Sequence, residues 1–351
     1  LKPGDTVLDP MMGSGTVLIE ARLMGIKSVG LDASPFCRFM AQAKLDGLTV
    51  PLAPIREALQ NSKRLFDGFR SQAGHPSTAA AEPDENGLGG LFSVRESGRR
   101  YDTSGAAASM EGCESEAVRN FLLLAYLDSA GYSERSKRKS PYDQFHAILE
   151  RYLFVAEKIQ RVLAGSEADL AAAAPLEGDA RALPLEPASV DGILFSPPYS
   201  FAIDYLENDA PHLEFLGADL NELRQRMIGL RGRKHRTALQ SLREKFDLYK
   251  ADMDKVLSEC ARVLRPAGIC AIVVGTNSNQ LGKILESEPQ DVEGNDDMLT
   301  AAGEQFGLRP VYKLTRQITG MANTMRTESI VMLQRWHGPE GPLTSGAARR
   351  T

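Results

Sequence analysis

One stretch decides the fold of this 351-residue chain: Thr6-Val7-Leu8-Asp9-Pro10-Met11-Met12-Gly13-Ser14-Gly15-Thr16. Its first four residues form a short apolar run that predicts a strand, and apolar residues then recur at helical spacing until Gly25 ends the pattern. Gly13 and Gly15 lie between the two, in the kind of turn that lets a backbone approach a ligand at a helix N-terminus. The stretch therefore predicts a strand, a ligand-binding turn and a helix.

Strands and helices continue to alternate after this stretch. Residues 28–32 predict a second strand that ends in the acid Asp32, and residues 35–46 predict the helix that follows it. Further strands are predicted at residues 176–180, 190–195 and 268–275, helices at 249–264 and 296–306, and a closing pair of strands at 311–316 and 328–334. This order predicts an α/β fold with a mainly parallel sheet of about seven strands and a C-terminal antiparallel hairpin.

The pattern changes between residues 53 and 174, which we interpret as an insertion into a single domain that spans residues 1–337. Residues 71–115 are rich in Gly, Ser, Ala and acids and predict a mobile loop. Two helices are predicted within the insertion, at residues 117–130 and 142–163. The insertion is thus expected to be partly low-complexity and partly helical. Residues 338–351 predict a disordered tail.

Composition limits the classes of protein and of site. The chain has 42% hydrophobic residues and a formal net charge of −5, which predict a substantial core and argue against nonspecific coating of nucleic acid. It has no run of 18 apolar residues and no secretory signal, so we expect a cytoplasmic protein without a membrane segment. The four cysteines form no C-x-x-C pair: Cys37, Cys113, Cys260 and Cys270. We expect reduced thiols and no metal site.

The glycine turn differs from two common nucleotide-binding loops. Leu18 stands where the dinucleotide fingerprint needs its third glycine, which argues against a nicotinamide cofactor. No lysine follows Gly15, which excludes the phosphate loop of nucleotide hydrolases. Asp32 ends the second strand, near the separation from the turn at which a carboxylate accepts hydrogen bonds from ribose hydroxyls, and a further acid, Asp179, precedes Ala180-Arg181. The turn and the acids predict a site for a cofactor that contains a ribose.

A second stretch, Ser196-Pro197-Pro198-Tyr199, follows the strand predicted at residues 190–195. Two successive prolines lack N–H groups and have a fixed φ, so they form a stiff loop that offers acceptors without donors. Oxygens of Ser196 and Pro197 would hold the two hydrogens of an exocyclic base amine and direct its lone pair toward a methyl donor. Tyr199 would stack on an extruded base. The loop predicts methyl transfer to an amine, with the proton lost afterwards to solvent.

Together the two stretches resemble the DNA methyltransferases that methylate base amines, the N4-cytosine and N6-adenine group, whose motifs are D-P-F-x-G-S-G-T and [D/N/S]-P-P-[Y/F]. The resemblance covers roughly residues 1 to 50 and 175 to 335. Met11 stands where this family usually has phenylalanine. The family also has a segment before the first strand that helps to enclose the methionine part of the cofactor. We expect that wall to precede these 351 residues or to come from elsewhere in the chain.

The resemblance implies a Rossmann-like class I methyltransferase fold and S-adenosyl-L-methionine as the cofactor. It implies cofactor contacts from seven residues: Asp9, Pro10, Gly13, Gly15, Thr16, Asp32 and Asp179. It places four residues at the target amine: Ser196, Pro197, Pro198 and Tyr199. The serine form of the loop is commonest among N4-cytosine enzymes. The first expectation is therefore methylation of cytosine N4 in DNA, within restriction–modification, and the second is adenine N6.

A basic segment follows the proposed catalytic region. It contains six cationic residues and no acid: Arg224, Arg226, Arg231, Arg233, Lys234 and Arg236. In an acidic protein this asymmetry indicates contacts with phosphates, so the expected partner is DNA, with RNA as the alternative. A solvated basic loop is the structural alternative.

Two other functions remain open at this level. One is an RNA methyltransferase of the tRNA guanine-N2 type, which uses a similar glycine loop on the same fold but usually carries aspartate before the prolines. The other is a catalytically silent scaffold that binds nucleic acid. The sequence does not indicate the recognition site or the oligomeric state.

Overall fold

The computed structural model describes residues 1–71, 115–135, 139–165, 170–199, 203–231, 238–319 and 325–336. The chain divides into two compact units. The sheet unit comprises Leu1–Ala41, Ala168–Asn208 and Asp219–Thr351, and the helical unit comprises Gln42–Glu167 and Asp209–Ala218.

The sheet unit is built on seven strands: β1 (Thr6–Asp9), β2 (Lys27–Asp32), β3 (Ala173–Glu177), β4 (Val190–Phe195), β5 (Leu264–Gly275), β6 (Leu308–Thr319) and β7 (Met325–Arg335). Their order across the sheet is β3-β2-β1-β4-β5-β7-β6. The first five are parallel neighbours, and β7 pairs antiparallel with both β5 and β6. The predicted Rossmann-like α/β fold, with its C-terminal antiparallel pair, is confirmed.

Strand β1 lies at the point where the direction of winding reverses. Its neighbours are β2 on one side and β4 on the other, and both pairs are parallel. In open α/β sheets, ligands bind beyond the carboxyl ends of the strands at such a switch point. The topology thus predicts a ligand site among the residues that follow β1 and β4.

The helices of the sheet unit are α1 (Thr16–Leu23), the part of α2 (Pro35–Gly47) up to Ala41, α8 (Leu220–Arg226), α9 (Ala238–Val263), α10 (Ser278–Leu285) and α11 (Asn295–Gln305). Its core joins buried residues of the central strands to one face of α9, among them Leu8, Ile193, Ile272, Tyr249, Met253 and Val256. The short helix α8 begins where the Asp219 side chain accepts backbone hydrogen bonds from Asn221 and Glu222, as an N-cap residue does.

The helical unit contains α3 (Leu52–Gln60), α4 (Ser62–Ser71), α5 (Glu116–Arg135) and α6 (Pro141–Ala164), together with most of α7 (Tyr205–Phe215). Its core is an aromatic cluster in which the ring of Phe69 lies 4.6 Å from that of Tyr126 and 5.9 Å from that of Phe145. Helix α6 begins at an N-cap serine, Ser140, whose hydroxyl accepts the Asp143 N–H, with proline at the next position.

Several predicted boundaries are wrong. Strand β3 spans Ala173–Glu177 rather than residues 176–180; Pro175 lies within it, which is tolerated because β3 is at the edge of the described sheet. Helix α9 begins at residue 238 rather than 249, and β5 begins at residue 264 rather than 268. Helices α3, α4, α7, α8 and α10 were not predicted.

Two predictions fall outside the described residues: most of the loop at 71–115 and the tail at 338–351. The assignment of one domain with an insertion at residues 53–174 stays a prediction. Among the residues that the structure describes, no helix combines the length and the apolar character needed to cross a membrane.

Candidate active site

The two stretches singled out in the sequence follow adjacent parallel strands. Strand β1 ends at Asp9 and β4 ends at Phe195, and the two strands pair in parallel with Leu8 opposite Ile193. The glycine turn and the loop that begins at Ser196 therefore start from the same edge of the sheet, on neighbouring strands. The structure brings these two predicted parts of the site together.

The glycine turn has a backbone that only glycine adopts easily. Gly13 has a φ of +49° and Gly15 a φ of +80°. A Cβ built on Gly15 would lie 2.6 Å from the Cβ of Ala41, whereas a Cβ built on Gly13 would meet nothing within 4 Å. Gly15 thus allows α1 to pack closely on α2, and Gly13 faces open space. Pro10 is buried just after β1, and Thr16 is the exposed first residue of α1.

Asp32, at the end of β2, holds the turn in place. One of its carboxylate oxygens accepts the backbone N–H of Gly13 at 3.0 Å, and the other accepts that of Ser34 at 2.9 Å. Its carbonyl oxygen accepts the N–H of Gly178 at 2.8 Å, which connects it to the segment after β3. Asp32 is therefore a fixed, partly buried carboxylate directly beside the glycine turn.

Asp9, at the end of β1, is only 4% exposed. Burial has the largest influence on the pKa of this carboxyl; together with the charge of Asp32 it outweighs the hydrogen bond from the Met11 N–H and raises the pKa to about 7. That hydrogen bond is 3.0 Å long. Asp9 thus changes its charge near neutral pH, at the centre of the candidate site.

Asp179 lies two residues beyond β3 and is bound by Arg181. The Arg181 side chain donates to both carboxylate oxygens, at distances of 2.7 to 3.1 Å, and its backbone N–H donates to one of them at 2.9 Å. Burial acts to raise the pKa of Asp179, but the hydrogen bonds and charge of Arg181 outweigh it and hold this pKa below its usual value. Asp179 is consequently a fixed anion at the carboxyl end of β3.

The loop after β4 is held at Tyr199. The hydroxyl oxygen of Tyr199 accepts the backbone N–H of Gly275, at the end of β5, at 2.7 Å, and the N–H of Tyr199 donates to the hydroxyl of Tyr205 at 3.4 Å. Ser196 is exposed, Pro197 is buried, and Pro198 and Tyr199 are partly buried. The loop therefore exposes Ser196 to solvent, while the hydrogen bond from Gly275 fixes Tyr199.

The predicted cofactor residues follow the order of the strands. Asp179 follows β3, Asp32 ends β2, Asp9 ends β1, and Ser196 follows β4, the next strand across the sheet. Carboxylates accept hydrogen bonds from ribose hydroxyls and from an adenine amine, and an anion near the glycine turn favours a sulfonium cation. The open space at Gly13 leaves room for a ligand against the backbone. This set of groups fits S-adenosyl-L-methionine.

Three residues of the basic segment are paired with acids that lie far away in the sequence. Arg224 contacts Asp204 at 3.2 Å, and Arg226 contacts Glu177 at 3.0 Å. The third, Arg231, donates to a buried acid on α9, Asp252. The remaining three predicted contacts lie outside the described residues: Arg233, Lys234 and Arg236.

Sequence reasoning missed three residues that support the site. Arg181 was noted only as a neighbour of Asp179, and Tyr205 was not singled out. Asp252 was not singled out, although an acid on the apolar face of a helix is a signal of a buried partner. Across the described ranges, no group of three or more His, Cys, Asp or Glu is arranged to hold a metal ion.

Comparison with known proteins yields matches to methyltransferases. Residues 1–74 match the family model described as "UPF0020: RMKL-like, methyltransferase domain". The type II methyltransferase M.MjaII of Methanocaldococcus jannaschii is 52% identical over 42 residues, 12% of this chain and 8% of that relative. The type II methyltransferase M.BsoBI of Geobacillus stearothermophilus is 23% identical over 267 residues, 65% of this chain and 51% of that relative.

Among solved structures, the chain is similar to a SAM-dependent methyltransferase from Methanosarcina mazei, to which it is 11% identical. Its TM-score is 0.38, and the alignment covers 96% of this chain and 94% of the other. The chain spans about half or less of the length of the curated relatives that it matches. The resemblance predicted from the sequence is confirmed at the level of these comparisons: the segment that carries the glycine turn matches a methyltransferase domain, and the curated relatives are type II methyltransferases.

Proposed function

We propose that this protein transfers a methyl group from S-adenosyl-L-methionine to an exocyclic base amine of DNA, with cytosine N4 as the target. One observation carries the proposal. The glycine turn after β1 and the loop that begins at Ser196 after β4 lie on neighbouring parallel strands, at the same edge of the sheet. A methyl donor at the first and a base amine at the second would meet at the switch point between these strands.

The residues along this edge would bind different parts of the cofactor. Asp32 would accept hydrogen bonds from the ribose hydroxyls, Asp179 from the adenine amine, and ionised Asp9 would lie on the side of the positive charge. When bound, the cofactor supplies an electrophilic methyl group on a sulfonium sulfur. Because Asp32 and Asp179 are already fixed by other hydrogen bonds, they would meet the ligand without rearrangement.

The loop after β4 would orient the amine rather than remove its proton. The Ser196 hydroxyl and the Pro197 carbonyl would accept the two amine hydrogens and direct the lone pair toward the methyl carbon. The amine held in this way would form the new N–C bond as the C–S bond breaks and leaves its electrons on sulfur. Because serine is not a base at neutral pH, the methylated amine then loses its proton to water.

Tyr199 would provide the surface on which the base is stacked. Its hydroxyl is fixed to the backbone at Gly275, which anchors the ring on the loop that carries Ser196. An extruded base loses its stacking partners in the duplex, and an aromatic face replaces part of that interaction. The match to type II methyltransferases supports a base in DNA and a place in restriction–modification.

A methyl-transfer assay with several nucleic acids tests this function. The protein is incubated with radiolabelled S-adenosylmethionine and one of four substrates. These are unmodified duplex plasmid DNA, an oligonucleotide duplex of A·T pairs only, an oligonucleotide duplex of G·C pairs only as the cytosine substrate, and total tRNA. We expect label in DNA and in the cytosine substrate, and we expect Ser196→Ala to lose most of it. Label in adenine would favour N6 methylation, and label in tRNA alone would favour the RNA enzyme.

Binding measurements separate an inactive enzyme from a scaffold. Calorimetry with S-adenosylhomocysteine should give a saturable heat for the wild-type protein. A protein that binds duplex DNA but gives no heat with this compound, and transfers no methyl, would be a scaffold instead of an enzyme.

A further inference from the structure

An aspartate in the middle of α9, Asp252, is completely buried and yet ion-paired. One of its carboxylate oxygens accepts from Arg181 at 2.9 Å and also from Arg231, and the other accepts the backbone N–H of Gly229 at 3.0 Å. A buried carboxylate is strongly unfavourable unless such partners satisfy it. Asp252 thus fixes Arg181 and the segment after α8 to the same point.

Arg181 connects this point to the candidate cofactor site. Its side chain is 9% exposed, and it binds Asp179 through two of its nitrogens while a third reaches Asp252. The planar guanidinium has its donors in a fixed fork, so a shift of one acceptor moves the whole group. Asp179 and Asp252 are therefore held in one rigid arrangement by a single side chain.

The same guanidinium also closes the end of α8. It donates to the backbone carbonyls of Gln225 and Arg226 at 3.0 and 3.2 Å. These carbonyls belong to the last turn of the helix, where backbone acceptors lack partners within the helix and where a positive charge is favourable. Arg226, whose carbonyl is bound in this way, is itself one of the proposed phosphate contacts. The first, described part of the basic segment thus depends on Arg181 for its position.

We propose that Arg181 is a positioning residue that couples cofactor binding to nucleic-acid binding. This inference rests on the proposed function, since it takes Asp179 as a cofactor contact and Arg224 and Arg226 as nucleic-acid contacts. A cofactor held by Asp179 fixes Arg181, and Arg181 fixes the carbonyl end of α8. A nucleic acid held by the basic segment acts through the same contacts in the opposite direction. Each ligand then strengthens contacts that the other ligand also uses, which is positive coupling.

The test compares affinities in a thermodynamic cycle. The Kd for fluorescent duplex DNA is measured with and without saturating S-adenosylhomocysteine, and the Kd for S-adenosylhomocysteine with and without DNA. For the wild type we expect each ligand to tighten the other by the same factor, about fivefold or more. Arg181→Lys keeps the charge but loses the fork, so we expect this factor to fall below about twofold.

A matched control distinguishes coupling from stability. Asp296 is a second buried, ion-paired aspartate of the sheet unit, bound by Lys313 at 2.8 Å and by Ser329 at 2.6 Å, and it is not joined to Arg181 by a described contact. Asp252→Asn and Asp296→Asn both neutralise a buried aspartate. We expect only Asp252→Asn to reduce the coupling factor, and Asp296→Asn to retain it even where the melting temperature falls. If Asp252→Asn does not fold, the coupling factor of Arg181→Lys alone tests the role of Arg181.

The coupling role of Arg181 is overturned if Arg181→Lys keeps the wild-type coupling factor. It is also overturned if the wild type transfers methyl groups to DNA but neither ligand changes the Kd of the other. The latter result leaves the proposed function intact. A wild-type protein that shows the coupling but methylates no nucleic acid contradicts the proposed function and leaves the role of Arg181 standing.

Discussion

The hydroxyl oxygen of Tyr199 accepts a hydrogen bond from the backbone N–H of Gly275 at 2.7 Å, which joins the loop after β4 to the end of β5. The bond fixes the aromatic ring beside Ser196, where the target base would stack. The position of the loop thus depends on a strand that contributes none of the residues proposed to contact the base.

Two substitutions of Tyr199 distinguish the contribution of its ring to catalysis from that of its hydroxyl. Tyr199→Phe keeps the stacking face but leaves the Gly275 N–H without its acceptor, so we expect kcat to fall about tenfold. Tyr199→Ala also loses the ring, and we expect a loss of about a hundredfold or more. Tyr312, an exposed tyrosine on β6, supplies the control Tyr312→Phe, which should retain wild-type kcat. Equal activity of Tyr199→Phe and wild type would show that the hydrogen bond does not position the ring.

The two glycines of the turn should respond differently to alanine. In Gly15→Ala the new methyl group would lie 2.6 Å from the Ala41 Cβ at a φ of +80°, so we expect a loss of about 2 kcal/mol or more in the free energy of unfolding. Gly13→Ala has open space and a φ of +49°, so only about 1 kcal/mol should be lost. Its methyl group would project into the proposed cofactor space, however, and we expect S-adenosylhomocysteine binding to be lost.

Thermal melting and calorimetry on both variants check this pair. A Gly13→Ala protein that binds S-adenosylhomocysteine as tightly as the wild type would place the cofactor elsewhere.

Asp9 should make stability depend on pH in a direction that is unusual for an aspartate. Its pKa rises from 3.8 in the absence of burial to about 7 in the folded protein, so between these values the folded state binds a proton that the unfolded state lacks. The contribution of Asp9 to stability therefore falls as the pH rises from about 4 to about 7 and changes no further above that range. Asp9→Asn removes this contribution, and at pH 8 it should be more stable than the wild type by at most about 4 kcal/mol.

Urea unfolding at pH 5 and pH 8 measures this difference. Asp247, an exposed aspartate with a side chain that is 70% accessible, provides the control Asp247→Asn, which should keep the wild-type dependence. We also expect Asp9→Asn to weaken S-adenosylmethionine binding at pH 8, because the anion near the sulfonium is lost. An Asp9→Asn protein with the same stability profile as the wild type would refute the raised pKa.

The basic segment should contain two kinds of arginine. Arg231 is bound to Asp252, so Arg231→Gln should reduce stability and change the salt dependence of DNA binding little. Arg233→Gln combined with Lys234→Gln should reduce the slope of log K against log salt by about 1.8, because each lost phosphate contact contributes about 0.9. Titrations of duplex DNA at several salt concentrations measure the slopes. Unchanged slopes in the double variant would remove these two residues from the interface.

The local parts of the site were predictable because their signals are local. β1 and β4 lie where the apolar runs predicted them, and the turn after β1 requires glycine for reasons visible in the sequence. The alternation of strands and helices predicts a parallel sheet but does not give its strand order. That β1 lies next to β4, which is far away in the sequence, is known only from the structure.

The contacts of the charged residues were not predictable. No acid occurs between residues 224 and 236, yet three arginines of that range are paired with Asp204, Glu177 and Asp252. Such pairs form between residues brought together by the fold and leave no periodic pattern. The extent of β3 was also misjudged, because alanine and proline are poor strand residues and only the edge position explains them.

Mass spectrometry of nucleosides identifies the base that this protein methylates. Unmodified duplex DNA is incubated with S-adenosylmethionine and either the wild-type protein or Ser196→Ala, then digested and analysed. We expect N4-methylcytosine with the wild type and at least about a hundredfold less with the variant. Only unmodified nucleosides after incubation with a wild-type protein that binds S-adenosylhomocysteine would contradict the proposed function.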